Sequence, residues 1–344
     1  MRTFDTPDQV IWDITYACPM RCIHCYSESG RRPSRKLGYS EMLRIADAIV
    51  SMAPRGAVIA GGEPLLIPTI CDVIRRIANG GVPVTMYTSG WQLSEPQAQT
   101  LAELCERLVI SLDGPTPEVH DRIRGRVGSF AQAMDALRLL NEVSAARRAA
   151  GQAALSFGID CVLLQSNFDY MQDVCKKAAV EFSELQFITF GAVIPAGLAN
   201  RTGFEESELL TEEQLGLLND PTHADRLRAL VPGSVEVNLT DNRFLQMHPD
   251  LIARGLIFNA MQLEPDGEVR AMAIYEGTVG NILTEPPTTI WQRAQARWRD
   301  PIVVETLSKV QTMRQWAEAA RQIDYHFGSE TVRARIDRRP TFPA

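Results

Sequence analysis

The stretch VIWDITYACPMRCIHC, residues 10–25, decides how this chain is read. Its first half, Val10–Tyr16, is an apolar run of the length of a buried strand. Three cysteines follow at once, Cys18, Cys22 and Cys25, in the spacing C-x3-C-x2-C. Three thiolates on one tight loop can take three corners of a [4Fe–4S] cube. The fourth iron is then left open to a small molecule, as an open zinc position is open to water. The alternatives are a zinc site of the three cysteines with His24, or three unligated thiols. Structural zinc sites usually pair two separated knuckles, and no second Cys or His pair occurs in the chain.

Working outward, the strand-then-loop unit repeats. Further strand candidates are Ala57–Ala60, Pro83–Tyr87, Leu108–Leu112, Leu155–Leu163 and Leu185–Phe190. Helical patterns lie between them. Ser40–Met52 carries Met42, Ile45, Ala46 and Ile49 on one face, and Ser129–Arg148 carries Phe130, Ala133, Leu137 and Leu140. Thr69–Ala78, Glu95–Cys105 and Phe168–Val180 fill the remaining gaps. Six units in series predict a parallel sheet with right-handed crossovers. Six are too few to close an eight-stranded barrel. The expected fold class is therefore α/β, an open partial (β/α)6 TIM-like barrel over residues 1–210, with ligands at the carboxyl ends of the strands. After Gly191 the alternation breaks up. Thr211–Leu218, Ile290–Arg299 and Ile302–Ile323 read as helices, and Val235–Leu239, Ile257–Leu263 and Glu268–Ala273 as short strands. They predict a small C-terminal α+β extension over 211–327. The charged, Pro-containing segment 328–344 reads as a flexible tail.

The chain has 344 residues, 45% of them hydrophobic, enough for a sizeable core. A net charge of −7 offers no footprint for nucleic acid or an anionic membrane surface, so neither is expected as a partner. No apolar run reaches the length of a membrane span, and Met1–Gln9 is polar, unlike a signal peptide. The expectation is a cytoplasmic protein. In that reducing setting, three of the seven cysteines clustered together read as metal ligands rather than disulfides.

Three more segments follow predicted strands. Gly61-Gly62-Glu63-Pro64 offers two glycines for close backbone approach and a carboxylate for an ammonium group. Tyr87-Thr88-Ser89-Gly90 puts hydroxyls at a strand end. Ser111-Leu112-Asp113-Gly114-Pro115 leads into His120–Gly125, where Arg124 has the planar fork that suits a carboxylate.

Together these segments resemble the radical S-adenosylmethionine (SAM) superfamily. The C-x3-C-x2-C loop resembles its signature, residues 61–64 its GGEP motif, and residues 88–90 its T-N-G strand end, with Ser89 where Asn is common. Residues 111–125 resemble a run of the subfamily that carries a SPASM or twitch extension. The resemblance implies one [4Fe–4S] cluster on Cys18, Cys22 and Cys25, with SAM on the open iron. Reductive cleavage of SAM would give methionine and a 5′-deoxyadenosyl radical that takes a hydrogen atom from a substrate. SAM contacts are implied at Gly61, Gly62, Glu63, Pro64, Ser89, Ser111, Asp113 and Arg124, with His24 and Tyr26 near the adenine. In the fifth strand, period-two alternation puts Gly158 and Asp160 on the face opposite Cys161, so Asp160 is a candidate to face the substrate.

The C-terminal third resembles the SPASM/twitch extension at Leu263–Gly267, Val279–Ile282 and Ile290-Trp291. Where that family has cysteines, this chain has Ala253-Arg254-Gly255 and Ala271-Met272, and none follows Cys175. A degenerate extension without a second cluster is expected. Cys71, Cys105 and Cys175 read as core packing. Without an auxiliary cluster to accept an electron, a redox-neutral outcome is expected: epimerisation, rearrangement or fragmentation. Cys161 and Tyr87 are the candidate hydrogen donors. The alternatives are an oxidative peptide maturase that crosslinks or dehydrogenates, and a non-catalytic iron–sulfur sensor or partner protein. The substrate is expected to be a peptide or small-molecule natural product. With about nine residues before the first strand, neither an N-terminal peptide-binding domain nor a cobalamin domain is expected. The basic loop Arg31, Arg32, Arg35 and Lys36 suits an acidic electron donor such as flavodoxin or ferredoxin, or an anionic substrate.

Overall fold

The computed structural model describes residues 4–33 and 37–343. Arg35 and Lys36 of the basic loop lie outside the described residues. Six strands appear where the alternation predicts them: β1 (Gln9–Asp13), β2 (Gly56–Ala60), β3 (Val84–Thr88), β4 (Arg107–Ser111), β5 (Phe157–Leu163) and β6 (Phe187–Ala192). Between them run α1 (Tyr39–Met52), α2 (Ile70–Asn79), α3 (Glu95–Leu104), α4 (Pro117–Arg124), α5 (Ser129–Ala149) and α6 (Met171–Glu181). Every neighbouring pair from β1 to β6 is parallel. The apolar faces of the helices, such as Ile45 and Ile49 of α1 and Leu137 and Leu140 of α5, pack into one core with Trp12, Ile59, Met86, Ile110 and Ile159.

The C-terminal region does not form a separate small unit around its own sheet. β7 (Glu236–Thr240) pairs parallel with β6, and β8 (Ala260–Leu263) pairs parallel with β1, Gln9 opposite Ala260. β9 (Glu268–Arg270) and β10 (Thr278–Asn281) follow as antiparallel strands. The sheet order is β10-β9-β8-β1-β2-β3-β4-β5-β6-β7, so the parallel wall has eight strands rather than six. Among the described residues β7 does not pair with β8, and the barrel stays open there. All four residues of β8 are buried, which is the pattern of a strand covered on both faces. The edge strands escape the β/α period because no regular helix–strand rhythm surrounds them.

Two further expectations change. The helix read as Ile302–Ile323 is two helices, Pro301–Leu307 and Met313–Phe327. Thr312 opens the second with a reciprocal cap to Gln315, a signal present in the sequence. The tail expected to be flexible from 328 contains a helix, Glu330–Ile336, capped by Ser329. Arg335 and Arg339 anchor it by pairing with Glu28, just past the cysteine loop, at 3.1 and 2.7 Å.

Candidate active site

The loops that leave the carboxyl ends of β1 to β6 enclose a cavity of about 640 Å³. Cys18, Cys22 and Cys25 all line it, each half-buried. Their loop is held by backbone bonds from three sides. Gly62 N donates to Thr15 O at 2.6 Å and Glu63 N to Ala17 O at 2.9 Å; Arg21 N and Ile23 N donate to Arg124 O and Ile123 O, both at 2.9 Å; Leu198 N donates to Cys25 O at 3.0 Å. The approach of β2's end is so close that a Cβ on Gly62 would lie 2.1 Å from the Ala17 carbonyl oxygen. Glycine is required there for space.

Burial pushes the Cys18 thiol up to about 12 and the Cys22 thiol to about 11. Thiolates at these positions therefore need a positive partner, and a metal cluster supplies one. Arg124 adds another, its Nη1 lying 3.9 Å from Cys22 Sγ. His24 also lines the cavity, and its Nδ1 is buried without a hydrogen-bond partner, as a ligand-facing group would be. Burial lowers His24 to about 4, so the ring is neutral. Among the described residues no three His, Cys, Asp or Glu side chains are arranged to share a single metal ion. The three thiols share one cavity wall, and as a donor set their chemistry is that of three corners of an iron–sulfur cluster.

The remaining candidates divide into lining residues and struts. Gly61, Gly62, Ser89, Ser111, Arg124 and Tyr26 line the cavity. Glu63 and Pro64 do not. The Glu63 carboxylate is fully buried and accepts hydrogen bonds from Thr88 Oγ1 at 2.6 Å, Ser89 N at 2.9 Å, Leu65 N at 3.1 Å and the Ser89 hydroxyl. It ties the end of β2 to the end of β3. Asp113 is likewise buried behind the wall. Its Oδ1 accepts from Val162 N at 2.9 Å and its Oδ2 lies 2.6 Å from Arg124 Nε, a charge contact rather than an aligned hydrogen bond. Burial opposes its charge, yet the Arg124 guanidinium holds the carboxyl below the usual range. Asp113 thus positions Arg124 instead of meeting a ligand itself. His120 accepts from Asp113 N and is structural.

Alternation along β5 separates the two candidates placed there. Asp160 lines the cavity, whereas Cys161 is 2% exposed and belongs to the helix-side core. Cys161 is therefore corrected from hydrogen donor to packing residue. Tyr87 of β3 projects into the cavity. Burial raises its phenol above the ordinary value, keeping the O–H in place. Cys105 and Cys175 are buried in the core, as expected, and Cys71 is half-buried against it.

Sequence reasoning missed a polar frame beneath the site. Asp13, at the end of β1, accepts from the Tyr26 hydroxyl and from Gln262 Nε2 of β8 at 2.8 Å. Beside it, Arg270 is buried between Glu264 at 2.8 Å and Glu276 at 3.4 Å. Glu264 also meets Arg32 at 3.2 Å, and Glu276 meets Arg335. An ionic network thus fills the base of the β8–β9 hairpin, next to Ala271-Met272, one of the two places where the resemblance would have a cysteine. The available signal was a charged or amide residue inside an apolar strand, as in Asp13 and Gln262. Asn242, Phe244 and Phe258 also line the cavity and were not anticipated.

Residues 12–146, which supply the cysteine loop and most of this wall, match the family model described as "Radical SAM superfamily". This segment is a radical SAM domain. The chain is 37% identical over 137 residues to mycofactocin maturase MftC of Mycobacterium ulcerans, covering 40% of this chain and 37% of that protein. It is 29% identical over 140 residues to an AdoMet-dependent heme synthase of Methanosarcina barkeri, covering 40% of each. These matches span well under half the length of the curated relatives. The fold as a whole is similar to that of anSMEcpe, solved with bound AdoMet and the Kp18Cys peptide. That likeness has a TM-score of 0.64 at 14% identity and covers 96% of this chain and 99% of that one. It extends through the C-terminal strands and helices that lie beyond the family match.

Proposed function

We propose that this protein binds one [4Fe–4S] cluster through Cys18, Cys22 and Cys25, with SAM beside it, and modifies a peptide or small natural product by a redox-neutral radical reaction. The observation that carries the reading is the convergence of three thiols, the Gly61-Gly62 backbone, Ser89, Ser111 and Arg124 on one cavity. Bound there, the cluster would supply the electron that splits SAM into methionine and a 5′-deoxyadenosyl radical able to take a hydrogen from a substrate. Arg124, braced by Asp113, presents a guanidinium to a carboxylate such as that of SAM. His24 offers an unpaired ring nitrogen. Tyr87 holds an O–H hydrogen inside the cavity and is the donor that passes it to a substrate radical; the phenoxyl radical left behind is restored by one electron from the external reductant and one proton from solvent.

The redox-neutral assignment rests on the β8–β9 hairpin. Its base holds the Arg270 ion network, and Ala271 and Met272 are buried there in place of thiolates. A peptide substrate is supported by the likeness to a maturase and to a peptide-bound fold. Oxidative maturation is the second reading, favoured by the same maturase likeness. The cavity with its SAM-facing wall weighs against a sensor that binds a cluster and nothing else.

Anaerobic reconstitution with iron and sulfide should give absorption near 400 nm, and SAM with a reductant should then yield 5′-deoxyadenosine. Cys18→Ala, Cys22→Ala and Cys25→Ala should each abolish both. Mass analysis of the modified substrate then decides the reaction: an unchanged hydrogen count supports the proposal, and the loss of two hydrogens establishes the oxidative reading.

A further inference from the structure

The outer side of the cysteine loop is an arginine surface without acids to match it. Arg21 and Arg31 are exposed on the loop, and Arg122 and Arg126 are exposed at the end of α4 beside it. The two pieces are joined by the bonds from Arg21 N and Ile23 N to α4, and a Cβ on Gly125 would lie 2.3 Å from Arg21 O. None of the four guanidiniums meets a carboxylate. Arg21 donates to Cys18 O at 3.0 Å, and Arg31 to Cys22 O at 3.3 Å and Arg21 O at 2.7 Å. Arg126 lies over Trp91 at 4.7 Å, and Arg122 reaches only Ser166 O, at 3.4 Å.

The nearby acids are turned inward. Asp121 accepts from Gly128 N, Ser129 Oγ and Phe130 N at the start of α5. Glu28 is buried under Arg335 and Arg339. Some surface arginines elsewhere pair with acids, as Arg75 does with Asp72 and Arg243 with Glu212, and others such as Arg338 meet only a backbone carbonyl; here four without an acid lie on two segments bonded to each other. A concentration of unpaired positive charge on a chain of net charge −7 is a local field of opposite sign to the whole. Val127, 91% exposed between Arg126 and Gly128, adds an apolar side chain beside Arg126. The guanidiniums of Arg21 and Arg31 are bonded to the carbonyls of the cluster cysteines themselves, so whatever docks on them sits one peptide from the thiols.

We propose that Arg21, Arg31, Arg122 and Arg126 form the docking face for an acidic one-electron carrier protein that reduces the site. This rests on the cluster-binding reading above. It keeps Arg31 of the basic loop and extends the face to Arg21 of the cysteine loop and to the end of α4. One electron leaves the carrier and one enters the cluster that the three cysteines hold; no atom is transferred. Opposite charge across such a face steers encounter, and the effect fades as salt screens it.

The test compares wild type with the double variant Arg122→Glu/Arg126→Glu, both outside the cysteine loop. SAM cleavage is driven in parallel by dithionite, by a reduced flavodoxin and by a reduced [2Fe–2S] ferredoxin. The expected result is an unchanged dithionite rate and a carrier-driven rate lowered about tenfold at low ionic strength, the difference closing at high salt. Titration of the oxidised carriers should show the same loss of affinity. If at least one carrier drives the wild type and the variant equally, or if dithionite works and neither carrier does, the docking face is overturned. If dithionite itself fails on reconstituted wild type, the cluster reading fails instead.

Discussion

Gly62→Ala tests the link between backbone packing and cluster binding. The added Cβ would stand 2.1 Å from Ala17 O and 2.8 Å from Ala17 C, both rigid backbone atoms. A relaxed carbon–oxygen contact needs about 3.3 Å, so the cysteine loop must retreat from β2 by roughly 1 Å. Two hydrogen bonds flank the contact, Gly62 N to Thr15 O at 2.6 Å and Glu63 N to Ala17 O at 2.9 Å. Such a retreat stretches both beyond useful length. Leaving buried amide groups unpaired costs about 1–3 kcal/mol each, so a loss of about 2–4 kcal/mol is expected in urea denaturation. The same shift carries Cys18 away from the other two thiols. Bound iron and absorption near 400 nm should fall to less than half of wild type after identical reconstitution. Gly216→Ala is the control: Gly216 sits in helix Glu212–Leu218 with nothing within 4 Å of its Cβ position. It should gain about 0.5–1 kcal/mol and keep its iron. A Gly62→Ala protein with the wild-type urea midpoint and full iron content would refute the packing argument.

Arg270→Met leaves Glu264 and Glu276 facing each other in a buried network, and stability should drop by about 3–5 kcal/mol; a loss under about 1 kcal/mol would show that the network is not stabilising. Burial, with the Asp113 charge adding to it, raises Asp160 to about 7. Between about pH 4 and 7 the folded protein keeps a proton there that the unfolded chain releases, so this group makes stability fall as pH rises across that window. Asp160→Asn should therefore have a higher urea midpoint than wild type at pH 8 and an equal one at pH 4; equal midpoints at both would contradict the shift. Tyr87→Phe should leave SAM cleavage intact but lower solvent deuterium uptake into the product at least tenfold, and undiminished uptake would exclude the phenol as donor.

Much of the site was legible because its chemistry sits on contiguous segments. The cysteine triplet, residues 61–64 and residues 88–90 each lie within a few positions on one loop, and the β/α period already placed those loops at strand ends. The roles within the segments were less legible. Glu63 and Asp113 stand in the motifs yet bond to Ser89 and Arg124 rather than lining the cavity. A motif records which residue types are present but not which of them faces the ligand. The Thr312–Gln315 cap was readable but was overridden by an apolar pattern that ran through it.

The sequence by itself determined the six β/α units, the cysteine loop and the opposition of Asp160 to Cys161, because periodicity and spacing are local properties. Only the tertiary structure decided that Asp160 has the cavity face and Cys161 the core face. It also placed β8 against β1 and Arg339 against Glu28. Those pairings join opposite ends of the chain, and local pattern holds no information on which distant edge or buried charge a short segment will meet. They follow from burying β8 on both faces and from the need of each buried carboxylate for a cation.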